Sequence, residues 1–211
     1  MGKPDRETQE VLWSQRYRDA GDNYLFGEAP NRFLEAHLHY LDAGATALSV
    51  ADGEGRNSVW LAEQGLAVTA LEISPVALAK AAKLARGRQV SVDFVQADIM
   101  AMDWPLAAYD FVVGIFIQFV GPEDRALLFA GIKQAVKPGG LVLLHGYTPK
   151  QLDYRTGGPS AVENLYTEAL LRQNFADFEL LVLREYEDDL TEGSDHHGRS
   201  AVIDLIARRP A

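Results

Sequence analysis

The sequence predicts an α/β protein: a doubly wound sheet of seven strands, mostly parallel, with one antiparallel strand near the C-terminus. Three observations predict it. Short apolar runs alternate with stretches of helical spacing along most of the chain. The run 111–116 is almost continuously apolar, as expected of a strand covered on both faces of a parallel sheet. Two further strand-like runs, 178–183 and 201–207, follow with no helix between them, so they read as an antiparallel pair.

The elements follow in order. Residues 8–20 and 30–41 read as helices, and Phe33, Leu34, Leu38 and Leu41 give the second one an apolar face. Pro30 stands near its start. The loop 21–28 between them carries two aromatics, Tyr24 and Phe26. Residues 47–51 are the first strand, and Asp52-Gly53-Glu54-Gly55 is a tight turn into a helix over 56–64. Gly65 stops that helix. A second strand, 68–71, ends at Glu72. Ser74 and Pro75 are a helix cap and first position, and the helix runs to Gly87. Strand 90–95 and Asp98 follow, then strand 111–116. A helix over 123–136 is stopped by Lys137-Pro138-Gly139-Gly140. Strand 141–144 ends at His145, and a helix lies near 164–175. The acidic stretch 185–199 joins the last two strands.

At 211 residues and 47% hydrophobic content, the chain reads as a single domain over 1–211, with 1–41 as an N-terminal helical lid segment. No apolar run approaches the roughly 20 residues a membrane helix needs. The charged N-terminus does not read as a secretory signal. Without cysteine there are no disulfides, thiolate nucleophiles or Cys-zinc sites, which fits a cytoplasmic protein. A formal net charge of −10 disfavours nucleic acid as a partner. The cluster Lys80, Lys83, Arg86 and Arg88 reads as a solvated helix face. Oligomeric state is not specified by the sequence.

Residues 45–72 have the plan of a mononucleotide-binding βαβ unit. The glycine turn admits a ligand against backbone, and Glu72, 72 − 55 = 17 positions after Gly55, is placed to accept from two ribose hydroxyls. The dinucleotide pattern G-x-G-x-x-G is incomplete, because Ser58 stands where its third glycine belongs. No phosphate-binding G-x-x-x-x-G-K-[ST] loop is present.

These residues resemble the class I S-adenosylmethionine-dependent methyltransferases, a Rossmann-like family, over nearly the whole chain. The resemblance rests on Ala51-Asp52-Gly53-Glu54-Gly55, Glu72, Asp98, Asp110 in Tyr109-Asp110-Phe111, and residues 137–140, in that order. Trp13, Arg16-Tyr17, Phe26-Gly27, Pro30-Asn31 and His197-Gly198 are similar to small bacterial tellurite-resistance and thiopurine-type methyltransferases. The resemblance implies S-adenosyl-L-methionine as cofactor and a small-molecule methyl acceptor. It implies cofactor contacts from Ala51, Asp52, Gly53, Gly55, Arg56, Asn57, Glu72, Ile73, Asp98, Ile99 and Ile115, with Tyr24 and Phe26 as a lid. Asp110 is expected to be structural. His145 and Tyr147 are the candidates for a general base, with His196 and His197 next; Gln118 and His197 are candidates for the acceptor side. No metal is expected: His196, His197 and Asp195 are adjacent and no second cluster exists.

Competing structural readings stand beside these. Asp98 can cap a helix, His145 can be a hydrogen-bonded strand-end residue, and Tyr24 and Phe26 can be packing. Two departures from the family pattern are Ala51 for its first glycine and Ser49 for an acidic residue. They motivate a rival reading, a non-catalytic binder of the cofactor or its demethylated product. A nicotinamide-dependent oxidoreductase is the other rival, opposed by the missing third glycine and by Asp98.

Overall fold

The structure, a computed structural model, describes residues 6–193 and 196–211. Residues 1–5 of the expected N-terminal segment, and Asp195, lie outside them. The order is α1 (Arg6–Asp19), α2 (Arg32–Ala36), β1 (Thr46–Val50), α3 (Arg56–Glu63), β2 (Ala67–Glu72), α4 (Pro75–Gly87) and β3 (Asp93–Gln96). Then come β4 (Tyr109–Ile115), α5 (Pro122–Ala135), β5 (Val136–Tyr147), α6 (Gln151–Tyr154), α7 (Glu168–Asn174), β6 (Glu179–Glu192) and β7 (His196–Arg208).

The helix starts follow local chemistry. Asn31 caps α2 by accepting from Phe33 N at 3.0 Å, and Ser74 caps α4 by accepting from Ala77 N at 3.3 Å. Pro122 opens α5, with Glu123 and Asp124 in its first turn, where the helix dipole favours carboxylates.

The seven strands form one sheet in the order β3-β2-β1-β4-β5-β7-β6. β7 is antiparallel to both neighbours and the remaining pairs are parallel, so one strand is reversed, as expected. Alternation along the strands builds a core on each face. One buries Leu48, Val50, Val112 and Leu144 against Leu128, Phe129 and Ile132 of α5. The other buries Ala47, Phe111, Val113 and Leu143 against Phe33 and Leu34 of α2 and Leu61 of α3. Among the described residues, no helix is long and apolar enough to cross a membrane.

Several elements differ from expectation. The helix expected over 30–41 breaks at His37 into α2 and a short 3-10 turn, Leu38–Tyr40: Phe33 and Leu34 are buried, Leu38 is exposed, and the turn brings Tyr40 and Leu41 against the same core. The helix expected near 164–175 is likewise a 3-10 turn, Val162–Asn164, followed by α7. β3 begins at Asp93 rather than 90. The acidic stretch 185–199 is not a simple connection: its described residues extend β6 and β7 into a long hairpin, paired from Glu179↔Arg208 to Glu192↔His196. Its charges are matched across strands and from the residue before α6, with Arg199 on Glu187 and Asp189, and Lys150 on Glu187.

At the end of the sheet away from the glycine turn, Asp110 ties β4 to β1. Its Oδ2 accepts from Thr46 N at 2.8 Å and from Thr46 Oγ1 at 2.7 Å, with Lys137 Nζ at 2.9 Å. The Thr46 hydroxyl and amide, then Lys137, hold its carboxyl down at about 2. A carboxylate held below its unfolded value of about 3.9 stabilises the fold above that value, and the effect fades as pH falls from about 4 to 2. The site is one-third exposed, so solvent screening reduces the gain to about 1 kcal/mol. Asp110→Asn is therefore expected to lower the melting temperature by roughly 2–4 °C at pH 7. The gap to wild type should close as thermal scans approach pH 2, and a gap independent of pH would contradict the ion pair.

Candidate functional site

β1 and β4 are neighbours whose following segments leave on opposite faces of the sheet, and a cavity of about 690 Å³ opens beyond their carboxyl ends. The turn after β1 forms its floor. Ala51, Gly53 and Gly55 take φ of +50°, +65° and +93°. Alanine adopts this left-handed conformation at a cost of roughly 1 kcal/mol, so the departure at Ala51 does not disrupt the turn. The two glycines have different duties. A Cβ on Gly53 would sit 3.0 Å from Tyr17 Oη, within the cavity wall. A Cβ on Gly55 would sit 2.7 Å from Ala81 Cβ, so Gly55 is where α3 closes on α4 and does not itself line the cavity.

Two carboxylates face this floor. Asp52 Oδ1 accepts from Ser49 Oγ at 2.6 Å and Ser58 N at 3.2 Å, and its Oδ2 accepts from Ser58 Oγ. Ser49, the second departure, thus orients a carboxylate three residues onward. Glu72 Oε2 accepts from Gly53 N at 2.9 Å and its Oε1 from Ser74 N at 2.8 Å. Burial is the main effect on both and pushes their carboxyls up; the serine and amide donors oppose it. Among the described residues neither carboxylate has an ion-pair partner within 4 Å. Ile73 and Asp98, at the ends of β2 and β3, line the same cavity with Ile99 and Ile115. Asp98 accepts from Met100 N at 2.9 Å; it closes a turn and caps no helix.

The N-terminal segment supplies part of the cavity lining. Gln9, Trp13, Arg16 and Tyr17 form one face of α1 and line the cavity, while Val11 and Leu12 point outward. Leu25 N donates to Glu54 Oε2 at 2.6 Å, and Lys80 pairs with Glu54 at 2.7 Å. Phe26 lines the cavity, but Tyr24 does not: its hydroxyl donates to Lys80 O at 3.1 Å and its ring packs with Val59 and Leu84. The hairpin meets this segment at Glu192. That carboxylate binds Arg56 Nη1 at 2.8 Å and Asn31 Nδ2 at 2.9 Å, while Asn57 Oδ1 accepts from Asn31 N at 2.9 Å. Arg56 and Asn57 line the cavity at the same point.

A ring wall closes the other end. Phe116, just past β4, has φ +56°, a strained conformation for a bulky residue. Its ring lies 4.6 Å from Tyr147, 4.8 Å from His145 and 4.3 Å from His196. Tyr147 and His196 line the cavity. His145 does not: it is buried behind Phe116, stacked on Phe33, with Nδ1 2.7 Å from Asp204 Oδ1. Gln118 lines the cavity with its amide already engaged. Its Oε1 accepts from Tyr147 N at 2.5 Å and its Nε2 donates to Tyr147 O at 2.8 Å. His197 is exposed, paired with Thr191 on the hairpin, and faces away from the cavity. His145 and His197 are thus displaced from the expected roles, and His196 holds the cavity position. Reading 185–199 as strand would have shown this, since alternation sends His196 and His197 to opposite faces. No group of three or more potential metal ligands occurs among the described residues.

Residues 47–140, from β1 into the start of β5, match a protein family described as a methyltransferase domain. The likeness to methyltransferases is carried by this stretch of the chain. It is similar to a carboxy-S-adenosyl-L-methionine synthase of Ectopseudomonas mendocina, 27% identical over 124 residues, covering 56% of this chain and 49% of that protein. It is also similar to a demethylmenaquinone methyltransferase of Renibacterium salmoninarum, 31% identical over 130 residues, covering 61% and 49%. The chain spans about half the length of the curated relatives it matches. Among solved structures, TehB from Haemophilus influenzae superimposes with a TM-score of 0.69 at 19% identity, over 95% of this chain and 67% of that one, which is a likeness of fold.

Proposed function

We propose that this protein is a class I methyltransferase that binds S-adenosylmethionine in the cavity and transfers its methyl group to a small-molecule acceptor. One observation carries the reading. Glu72, fixed by two backbone donors and lacking a cation, faces a cavity that also holds Asp98 at the next strand end and the left-handed turn at Gly53. That donor set fits a nucleoside: Glu72 for the ribose hydroxyls, Asp98 and Ile99 for the base, Ile73 for a packing face. Asp52 and the Gly53 backbone fit an amino-acid tail. When bound, the cofactor supplies an electrophilic methyl group on a sulfonium sulfur. The chain's own work is then to align the acceptor and exclude water. The α1 face, Phe26 and the hairpin do the excluding, so the N-terminal segment acts as the lid.

Calorimetric titration with S-adenosylhomocysteine, with NAD in a parallel cell, tests the cofactor. Micromolar binding of the first and none of the second is expected. Binding of NAD alone would overturn the reading, and binding of neither would point to a protein without this cofactor. Turnover on an acceptor then separates an enzyme from a non-catalytic binder.

A further inference from the structure

We propose that the ring-walled end of the cavity is a subsite for an organic ammonium, and that the acceptor is a tertiary nitrogen whose methylated product is a quaternary cation. The proposal rests on the methyltransferase reading above and adds the acceptor's class to it. A belt of rings carries it. Trp13, Tyr17, Phe26, His196, Phe116 and Tyr147 all line the cavity. Each ring lies against the next, with centroids 6.0, 6.4, 4.8, 4.3 and 4.6 Å apart in that order. The belt runs without a break from α1, through Phe26 and the first residue of β7, to the end of β5. A cation already lies on it: the Arg16 guanidinium carbon is 4.7 Å from the Trp13 ring centroid.

The surroundings of the belt are acidic. Asp52, Glu72, Asp98 and Asp124 line the cavity against Arg16 and Arg56, and Arg56 is bound to Glu192 at 2.8 Å. Burial pushes the carboxyls of Asp52 and Glu72 up, and a cation entering the cavity favours their charged form. An anionic acceptor meets the same carboxylates and is disfavoured. Polar groups at this end are engaged within the protein. Gln118 accepts from Tyr147 N and donates to Tyr147 O. Burial first, then Glu72, raises the Tyr17 hydroxyl well above its ordinary range, so it keeps its proton. What remains for a ligand is ring face in an acidic setting. A quaternary ammonium matches that setting: it has no N–H to satisfy, and it is drawn to the negative faces of aromatic rings. A flat neutral ring would stack on the belt but gain nothing from the carboxylates.

The transfer to such a nitrogen is a shift of charge. The nitrogen lone pair forms the new N–C bond as the C–S bond breaks, and the bonding pair stays on sulfur. The sulfonium becomes a neutral thioether and its positive charge passes to nitrogen. No proton moves, because a tertiary nitrogen carries none. One positive charge is thus present from start to finish, and ring faces that hold it act on reactant, transition state and product alike. Alignment of lone pair, methyl and sulfur is then the main task left to the protein.

The test uses three compounds of one shape. They are 4-(dimethylamino)benzyl alcohol as acceptor, its quaternary product 4-(hydroxymethyl)-N,N,N-trimethylanilinium, and the neutral isostere 4-tert-butylbenzyl alcohol. Calorimetry on the protein loaded with S-adenosylhomocysteine should show the cation binding about tenfold more tightly than the isostere, the preference given by a desolvated cation on ring faces. Phe116→Leu keeps apolar bulk but removes a ring face, and the preference should fall to threefold or less. Lost packing alone lowers both affinities and leaves their ratio unchanged. Phe26→Leu serves in its place if Phe116→Leu folds poorly by thermal melting. With S-adenosylmethionine, the wild-type protein should convert the acceptor to the quaternary cation rather than to the methyl ether, the two being separated by chromatography. A cation that binds no more tightly than the isostere overturns the ammonium subsite, and a ratio unmoved by the leucine variant overturns the part given to the rings. Ether formation, or no methylation by a protein that binds S-adenosylhomocysteine, overturns the acceptor class. Failure to bind S-adenosylhomocysteine, measured without any of the three compounds, removes the underlying reading itself.

Discussion

Glu72→Gln is expected to weaken S-adenosylhomocysteine binding about 100-fold. Each carboxylate oxygen already accepts one backbone N–H, from Gly53 and Ser74, and each keeps a lone pair for the cavity. Two charge-assisted hydrogen bonds to neighbouring ribose hydroxyls are worth about 1.5 kcal/mol each. Their loss, about 3 kcal/mol, corresponds to roughly two powers of ten in Kd. The glutamine amide adds a second penalty. Whichever way it is flipped, its NH2 group meets a backbone donor, Gly53 N or Ser74 N, so the turn loosens as well. The affinity measured by calorimetry must therefore be read beside the melting temperature of the variant. A folded variant that binds within threefold of wild type would sink the ribose role of Glu72.

That residue shows why the glycine-turn end of the cavity was legible in sequence. Residues 47–72 contain strand, turn, helix, strand and carboxylate in one continuous run, so neighbours in space are close in the chain. The Ser74-Pro75 cap and the apolar run of β4 are local signals of the same kind. The ring-walled end is different, because its geometry is made by pairings between distant segments. His145 looked available at a strand end, yet register places it opposite Asp204 and burial removes it from the cavity. Gln118 looked free to meet a ligand, yet it bonds both backbone groups of Tyr147, 29 residues away. Tyr24 shares a loop with Phe26, but Lys80 O claims its hydroxyl. The hairpin was obscured by composition: its acidic residues read as loop until Arg199 on the facing strand and Lys150 balance them. Glu192 carried no local sign of function, because its partners Asn31 and Arg56 are 161 and 136 residues away.

Glu192 is also where the largest stability effect is expected. Its ion pair with Arg56 is buried, each side chain being 7% exposed, and the same carboxylate holds Asn31. Glu192→Met strands a buried guanidinium and an amide donor, which costs about 3–5 kcal/mol and should lower the melting temperature by roughly 10 °C. Desolvation of two ions largely cancels their attraction, so the pair as a whole is worth much less than this loss. Adding Arg56→Met removes the stranded cation and lets two apolar chains fill the space. The double variant should therefore melt higher than Glu192→Met alone, with a coupling of roughly 2 kcal/mol. Additive losses would mean that the two side chains act independently and that the latch between hairpin and α3 is not an electrostatic one. Binding separates the roles further. The double variant restores the packing but not the hydrogen bond that fixes Asn31, the cap of α2 and the start of the segment folded over the cavity. Its affinity for S-adenosylhomocysteine should stay below wild type after its stability recovers, because on the proposed lid reading that bond holds the segment against the cavity.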